Sequence, residues 1–175
     1  MDNDITPTDN TIYNRHAARF IAILSLYSCN LNNDQPKNLV KISQKMTASY
    51  LTKDVFDLEL NPAQLEEIKL FTPDEIFLES LLNLTYRQES EAEKLIRNSL
   101  NTKWNYERLD QVIQTILKLA GIELLFHNET PTNIIIDEYV GLTKTFYENN
   151  EAGFVNKVLQ IMSEKARKDL KETIA

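Results

Sequence analysis

Few side chains in this 175-residue sequence are of kinds, and at spacings, that do chemistry. Arg15, His16 and Arg19 cluster near the start of an apolar-periodic stretch, and the two arginines stand at i and i+4 on one helical face. A guanidinium fork pairs with phosphate oxygens and stacks on bases, although composition alone reads the trio as a solvated face. Trp104 and Tyr106 stand at a helix entrance and read as a packing staple. Phe154 follows Gly153 after the polar run Glu148-Asn149-Asn150-Glu151. An aromatic there can enter a core or stack on an unpaired base, and periodicity alone favours the core. His127 follows the apolar end of a helix, where an imidazolium complements the carbonyl ends; acid–base work would need a partner that is not evident. Cys29 lies among core positions and reads as a packed thiol, not a nucleophile. Glu66-Glu67 and Asp74-Glu75-Glu79 fall in first helical turns and complement the dipole, without convergent ligands for a metal. Lys165, Arg167, Lys168 and Lys171 are favourable charges near a helix C-terminus.

Composition narrows the chemistry further. Gly121, Gly141 and Gly153 are the only three glycines, too few and too scattered for GxGxxG or GxxxxGK[ST] phosphate loops. One cysteine excludes a disulfide framework and the usual thiolate zinc site. We therefore expect no catalytic residue, metal or cofactor, and do not read the chain as an enzyme. Nineteen Lys+Arg against 26 Asp+Glu leave a net charge of −7. Residues 1–37 carry +3 and −4, residues 38–100 carry +7 and −11, and residues 101–175 carry +9 and −11. No basic block is present, which argues against nucleic-acid binding by bulk charge, and the acidity disfavours a membrane surface. Residues 1–10 lack the basic and apolar regions of a signal peptide. The apolar stretches Phe20–Leu24 and Gly121–Phe126 fall far short of the ~20 residues that cross a bilayer. The unpaired thiol suits a reducing, cytoplasmic compartment.

The elements that must position these residues are helices. Ala17, Phe20, Ile21, Leu24, Tyr27 and Leu31 form one apolar face over residues 14–30, and Leu109, Val112, Ile113, Ile116, Leu117, Ala120 and Leu124 form another over 106–126. A weaker helix spans 38–56. Asn61-Pro62-Ala63-Gln64 and Thr72-Pro73-Asp74-Glu75 each read as a polar cap, a proline at the first helical position and Gln or Glu three residues after the cap. The run after Thr72 is expected to bend near Gln88 and end around Leu100. Thr130-Pro131 starts another helix, and a last pair covers 151–163 and 164–172. The expected class is all-α, with seven or eight helices.

The residues then become recognisable. Trp104-Asn105-Tyr106-Glu107-Arg108-Leu109, Ile116-Leu117-Lys118-Leu119-Ala120, Glu123-Leu124-Leu125-Phe126, Ile136-Asp137-Glu138-Tyr139-Val140 and Gly153-Phe154-Val155-Asn156-Lys157-Val158-Leu159 resemble the NusB family in order and spacing. Arg15-His16-Ala17-Ala18-Arg19 with Leu26-Tyr27 is similar to the family's first helix. Residues 30–76 show little resemblance. The likeness implies a fold of two packed helical bundles: a tail at 1–12, then one domain over 13–172 with subdomains 13–101 and 102–172.

It also implies a function. Family members bind boxA-type ribosomal leader RNA with NusE, a small-subunit ribosomal protein, and join the RNA polymerase antitermination complex. Carried over by position, the RNA-binding residues are Arg15, His16, Arg19, Tyr27, Phe154 and Asn156. A face of Glu107, Asp110, Gln111, Gln114 and Lys118, off the apolar stripe, is the expected NusE contact. His16 and Ala17 stand where arginines are common, Asn133 where lysine is frequent, and Ala152-Gly153 where a basic pair often stands. RNA affinity without NusE is therefore expected to be low. The resemblance leaves monomer and homodimer both open. The competing reading is a protein-interaction module that keeps the fold without useful RNA binding.

Overall fold

Three- and four-residue apolar spacing builds helices throughout, in a computed structural model that describes residues 7–52, 71–148 and 150–174. Among these residues there are six α-helices, two short 3-10 turns and no strand, so the chain is all-α. The chain divides into two compact units, 1–83 and 84–175.

In the first unit, α1 spans Pro7–Leu31. Ala18, Ile21, Ala22 and Ser25 are fully buried and Ile23 and Leu26 nearly so, which wraps the core around more than one face of the helix. After α1 the chain turns through Asn33, whose φ of 52° is the left-handed conformation an asparagine tolerates. The Asp34 N–H donates to the Cys29 carbonyl at 2.9 Å, and the buried Cys29 thiol donates to the Asp34 carbonyl at 3.5 Å. A 3-10 turn over Pro36–Asn38 leads into α2, Leu39–Leu51, which packs on α1 with the Tyr50 and Phe20 rings 6.0 Å apart.

The third helix, α3, spans Glu75–Ser99 and loses helical geometry at Gln88 (φ −120°, ψ 21°), where the sequence reading expects a bend. Its cap is Asp74. The Asp74 carboxylate accepts from the Phe77 N–H at 3.0 Å, and its carbonyl accepts from the Leu78 N–H at 2.9 Å. Thr72 was the expected cap; the carboxylate two residues later wins because its oxygen reaches the third helical amide.

In the second unit, Tyr106–Arg108 is a 3-10 turn capped by Asn105, and α4 begins only at Gln111. The Asp110 carboxylate accepts from the Val112 N–H at 2.9 Å. The expected single helix from residue 106 is thus interrupted by two Asx caps in succession. The fourth helix, α4 (Gln111–Phe126), is buried over nearly its whole length, from Ile113 through Leu124. It packs against α5 (Thr132–Phe146) and α6 (Glu151–Ile174), which also pack on each other. Ile116, Leu117, Leu119 and Ile122 are wholly buried; together they supply roughly 6–12 kcal/mol of transfer free energy before chain entropy is subtracted. Gly121 permits close approach, since a Cβ there would lie 3.1 Å from Met162 Cε and 3.7 Å from Ala92 Cβ.

Three further expectations change. The tail expected over 1–12 is helical from Pro7, the natural residue for a first turn. The pair expected over 151–163 and 164–172 is one helix, because Ser163-Glu164-Lys165 contains no breaker. The division falls after Asn83, inside α3, ahead of the 101/102 boundary expected. The helix start at Asn61-Pro62, the Glu66-Glu67 pair and the Lys168 and Lys171 side chains lie outside the described residues.

Candidate nucleic-acid interface

Four of the expected RNA-binding residues lie on α1 in the first unit. Arg15 keeps 30% of its side chain accessible; its Nε stands 3.6 Å from Asp74 Oδ2 and its Cζ 5.0 Å from the centre of the Phe77 ring. The α3 cap thus also orients a cation. His16 and Tyr27 are half-buried. Arg19 is different. It is 2% exposed, and its Cζ lies 5.0 Å from the same Phe77 ring. The reason is local: positions i+3, i+4 and i+7 are Ala22, Ile23 and Leu26, all buried. A guanidinium held there braces the helix pair through its stem and its cation–π contact, and offers no surface to a phosphate.

Phe154 and Asn156 belong to α6 in the second unit. Phe154 is half-buried and its ring centre lies 4.7 Å from that of Trp104, at an interplanar angle of 47°. Trp104 is the chain's single tryptophan and remains 51% exposed. It is held at the end of a short turn: its N–H donates to the Asn101 carbonyl at 3.0 Å, and the Lys103 N–H donates to Asn101 Oδ1 at 2.9 Å. The expected staple is therefore half right. Tyr106 enters the core and Trp104 does not. Asn156 is half-buried and accepts from Gln160 Nε2 at 3.4 Å.

The five residues expected to meet a protein partner separate into three environments. Glu107 and Asp110 are exposed. Glu107 Oε1 lies 2.5 Å from Arg97 Nη1; its own backbone amide and then Arg97 hold its carboxyl below the usual range. Asp110 accepts from the Tyr147 hydroxyl as well as capping α4. Gln111 is half-buried, and Gln114 turns inward, where Nε2 donates to the Tyr106 and Leu109 carbonyls at 3.1 and 2.9 Å. Lys118 is a core residue, 6% exposed, bonded to Glu89 and 3.3 Å from Glu93 Oε1. Burial pulls its pKa down, but the Glu89 bond, Tyr106 and the two carboxylates more than offset this, leaving it above the ordinary lysine value. The expected face loses Lys118 because α4 is buried all round; a polar residue there must find its partner inside.

His127 caps α4, its N–H donating to the Glu123 carbonyl at 3.0 Å, and its buried ring lies 3.0 Å from Glu129 Oε1. Among the described residues no cluster of His, Cys, Asp and Glu is arranged to hold a metal, and no helix is long and apolar enough to cross a membrane.

The NusB family model matches residues 16–164. The chain belongs to the NusB family. A transcription antitermination protein NusB from Maricaulis maris is 27% identical over 164 residues, covering 94% of each chain. Another, from Rhodospirillum rubrum, is 31% identical over 155 residues, covering 86% of this chain and 83% of that one. The fold is shared with NusB in a crystal structure of the antitermination factors NusB and NusE with double-stranded RNA, at a TM-score of 0.63 and 21% identity, over 86% of this chain and 96% of that one. The NusB match takes in every site residue discussed above except Arg15, which lies one position ahead of it.

Proposed function

We propose that this chain is a cytoplasmic transcription antitermination factor that binds boxA-type ribosomal leader RNA together with NusE. It helps RNA polymerase pass premature termination by recruitment, without making or breaking a bond. The observation that carries this reading is the family match over 16–164, which reaches from His16 on α1 through the Phe154–Asn156 stretch of α6. The relatives' names give the process, and the NusB–NusE–RNA complex of the same fold gives the partners.

In this reading Arg15, His16 and Tyr27 on α1 and Phe154 and Asn156 on α6 meet RNA. Glu107, Asp110 and Gln111 offer carboxylates and an amide to NusE. Arg19, Gln114 and Lys118 act through the fold. With Arg19 buried and Arg15 beside Asp74, α1 presents little accessible positive charge, which supports weak binding to RNA alone and dependence on NusE.

Fluorescence anisotropy of a labelled boxA-type RNA, titrated with the chain alone and with equimolar NusE, tests this. We expect micromolar or weaker binding alone and a marked gain with NusE. Arg15→Ala should lower the slope of log K against log salt by about one. No binding even with NusE would overturn the RNA role and leave an interaction module that has kept the fold.

A further inference from the structure

Trp104 lines two depressions in the second unit. One is an apolar crevice of about 70 Å³ shared with Leu100, Phe154 and Ile161, whose one charged wall is Lys157. The other is a broad polar depression of about 330 Å³ whose walls include Arg97, Thr102 and Asn105 as well as Trp104. The crevice is too small for a nucleobase. The polar depression has more than four times the crevice's volume, enough for one nucleobase.

Trp104 keeps 51% of its surface exposed. The Asn101 turn holds its backbone, and the Phe154 ring makes a tilted contact with its indole, centroids 4.7 Å apart at 47°. A half-exposed aromatic ring beside hydrogen-bonding groups is what an unpaired base stacks on. The Asn105 Oδ1 is taken by the Glu107 N–H at 2.9 Å, which fixes the amide and leaves its NH2 group to donate. Two exposed lysines belong to the neighbourhood, Lys103 next to Trp104 in sequence and Lys157 in the wall of the crevice. They complement the phosphates that flank a base.

We propose that Trp104 is a stacking platform for one unpaired RNA base, with Asn105 and Thr102 meeting the base edge and the tilted Phe154 ring supporting the indole. This rests on the RNA-binding reading and adds to it a place where sequence can be read. Phe154 then acts largely by positioning Trp104, and the platform adjoins Glu107, on the face assigned to NusE. A base seated there is sheltered once NusE docks, so the two ligands reinforce each other.

Because Trp104 is the single tryptophan, its emission reports the contact directly. The full chain, with NusE, is titrated with a single-stranded boxA-type RNA while both RNA anisotropy and tryptophan emission are followed; Trp104→Phe gives the blank for any emission from NusE. We expect saturable quenching that tracks the anisotropy, and quenching sensitive to base identity at one position. Trp104→Ala should weaken RNA binding roughly 5- to 150-fold, and Trp104→Phe much less. Far-UV circular dichroism of each variant separates this from unfolding. RNA binding by anisotropy with unchanged Trp104 emission would overturn the platform and leave the RNA reading standing. No RNA binding by either signal would overturn both.

Discussion

Replacing Lys118 with methionine removes a charge and little volume. In the folded chain the ammonium bonds to Glu89 and lies 3.3 Å from Glu93 Oε1, with 8% of its side chain accessible against 43% and 32% for the two carboxylates. At an effective permittivity near 20, the 3.3 Å pair alone is worth about 5 kcal/mol of attraction. Much of this is offset, since dehydrating the ammonium costs several kcal/mol that methionine does not incur. What remains is the cost of two like charges, four residues apart on α3, left without their shared cation. Both carboxylates are about a third exposed or more, so water takes over much of that role. The expected loss is about 1–2 kcal/mol, below the 3–5 of a fully buried broken pair. Urea unfolding at pH 7 measures it, and Glu89→Gln with the double variant closes a cycle whose coupling should be about 1 kcal/mol. The pH dependence has a definite sign. The folded pKa is raised, so the contribution is complete below the unfolded value of ~10.4 and is lost as pH rises through the folded one. Wild type and Lys118→Met should therefore differ at pH 7 and converge in strong alkali. Equal stability at pH 7 with zero coupling would refute the reasoning.

Arg19→Ala should cost about 2–4 kcal/mol in thermal or urea unfolding, because it empties a core position over Phe77; Arg15→Ala, on a part-exposed pair, should cost under about 1 kcal/mol. Asp110→Ala removes the α4 cap and the Tyr147 contact together and should cost about 1–2 kcal/mol, with Tyr147→Phe costing less than half as much in the same assay. Gly121→Ala should raise stability by a few tenths of a kcal/mol, since helix propensity favours alanine by about 1 kcal/mol and the nearest atom is the far end of the unbranched Met162 side chain. A fall of more than about 1 kcal/mol would mean Met162 is pinned.

What could be read in the sequence was whatever rests on period and local chemistry. The apolar stripes of α1, α4 and α5 and the bend at Gln88 are all of this kind. Burial of charge was misjudged because a helical face was judged from the polar residues alone. The neighbours of Arg19 one and two turns on are apolar and buried, and of those one turn from Lys118, Thr115, Gly121 and Ile122 are buried and Gln114 is half-buried, so each charge lies among mostly core positions. That pattern was visible and is the signal to use. Caps were misplaced where two candidates compete, as at Thr72 and Asp74, because hydrogen-bond reach decides and spacing does not. Trp104 is the converse case: its flanks, Asn101-Thr102-Lys103 and Asn105, are polar throughout, which marks an aromatic that stays outside.

The lone thiol and the lone indole fall on opposite sides of the unit boundary. Cys29, 1% exposed, lies in the unit 1–83, and Trp104 lies in 84–175. Each unit thus carries its own built-in reporter, with no label added. A disulfide reagent reacts with Cys29 only when the end of α1 opens, while indole emission follows the loss of the Trp104–Phe154 contact. Measured in one denaturant series, coincident transitions mean a single cooperative molecule, and separated ones mean that either unit can melt while the other stands. In the second case a partner gripping only one unit would tune the order of that unit alone.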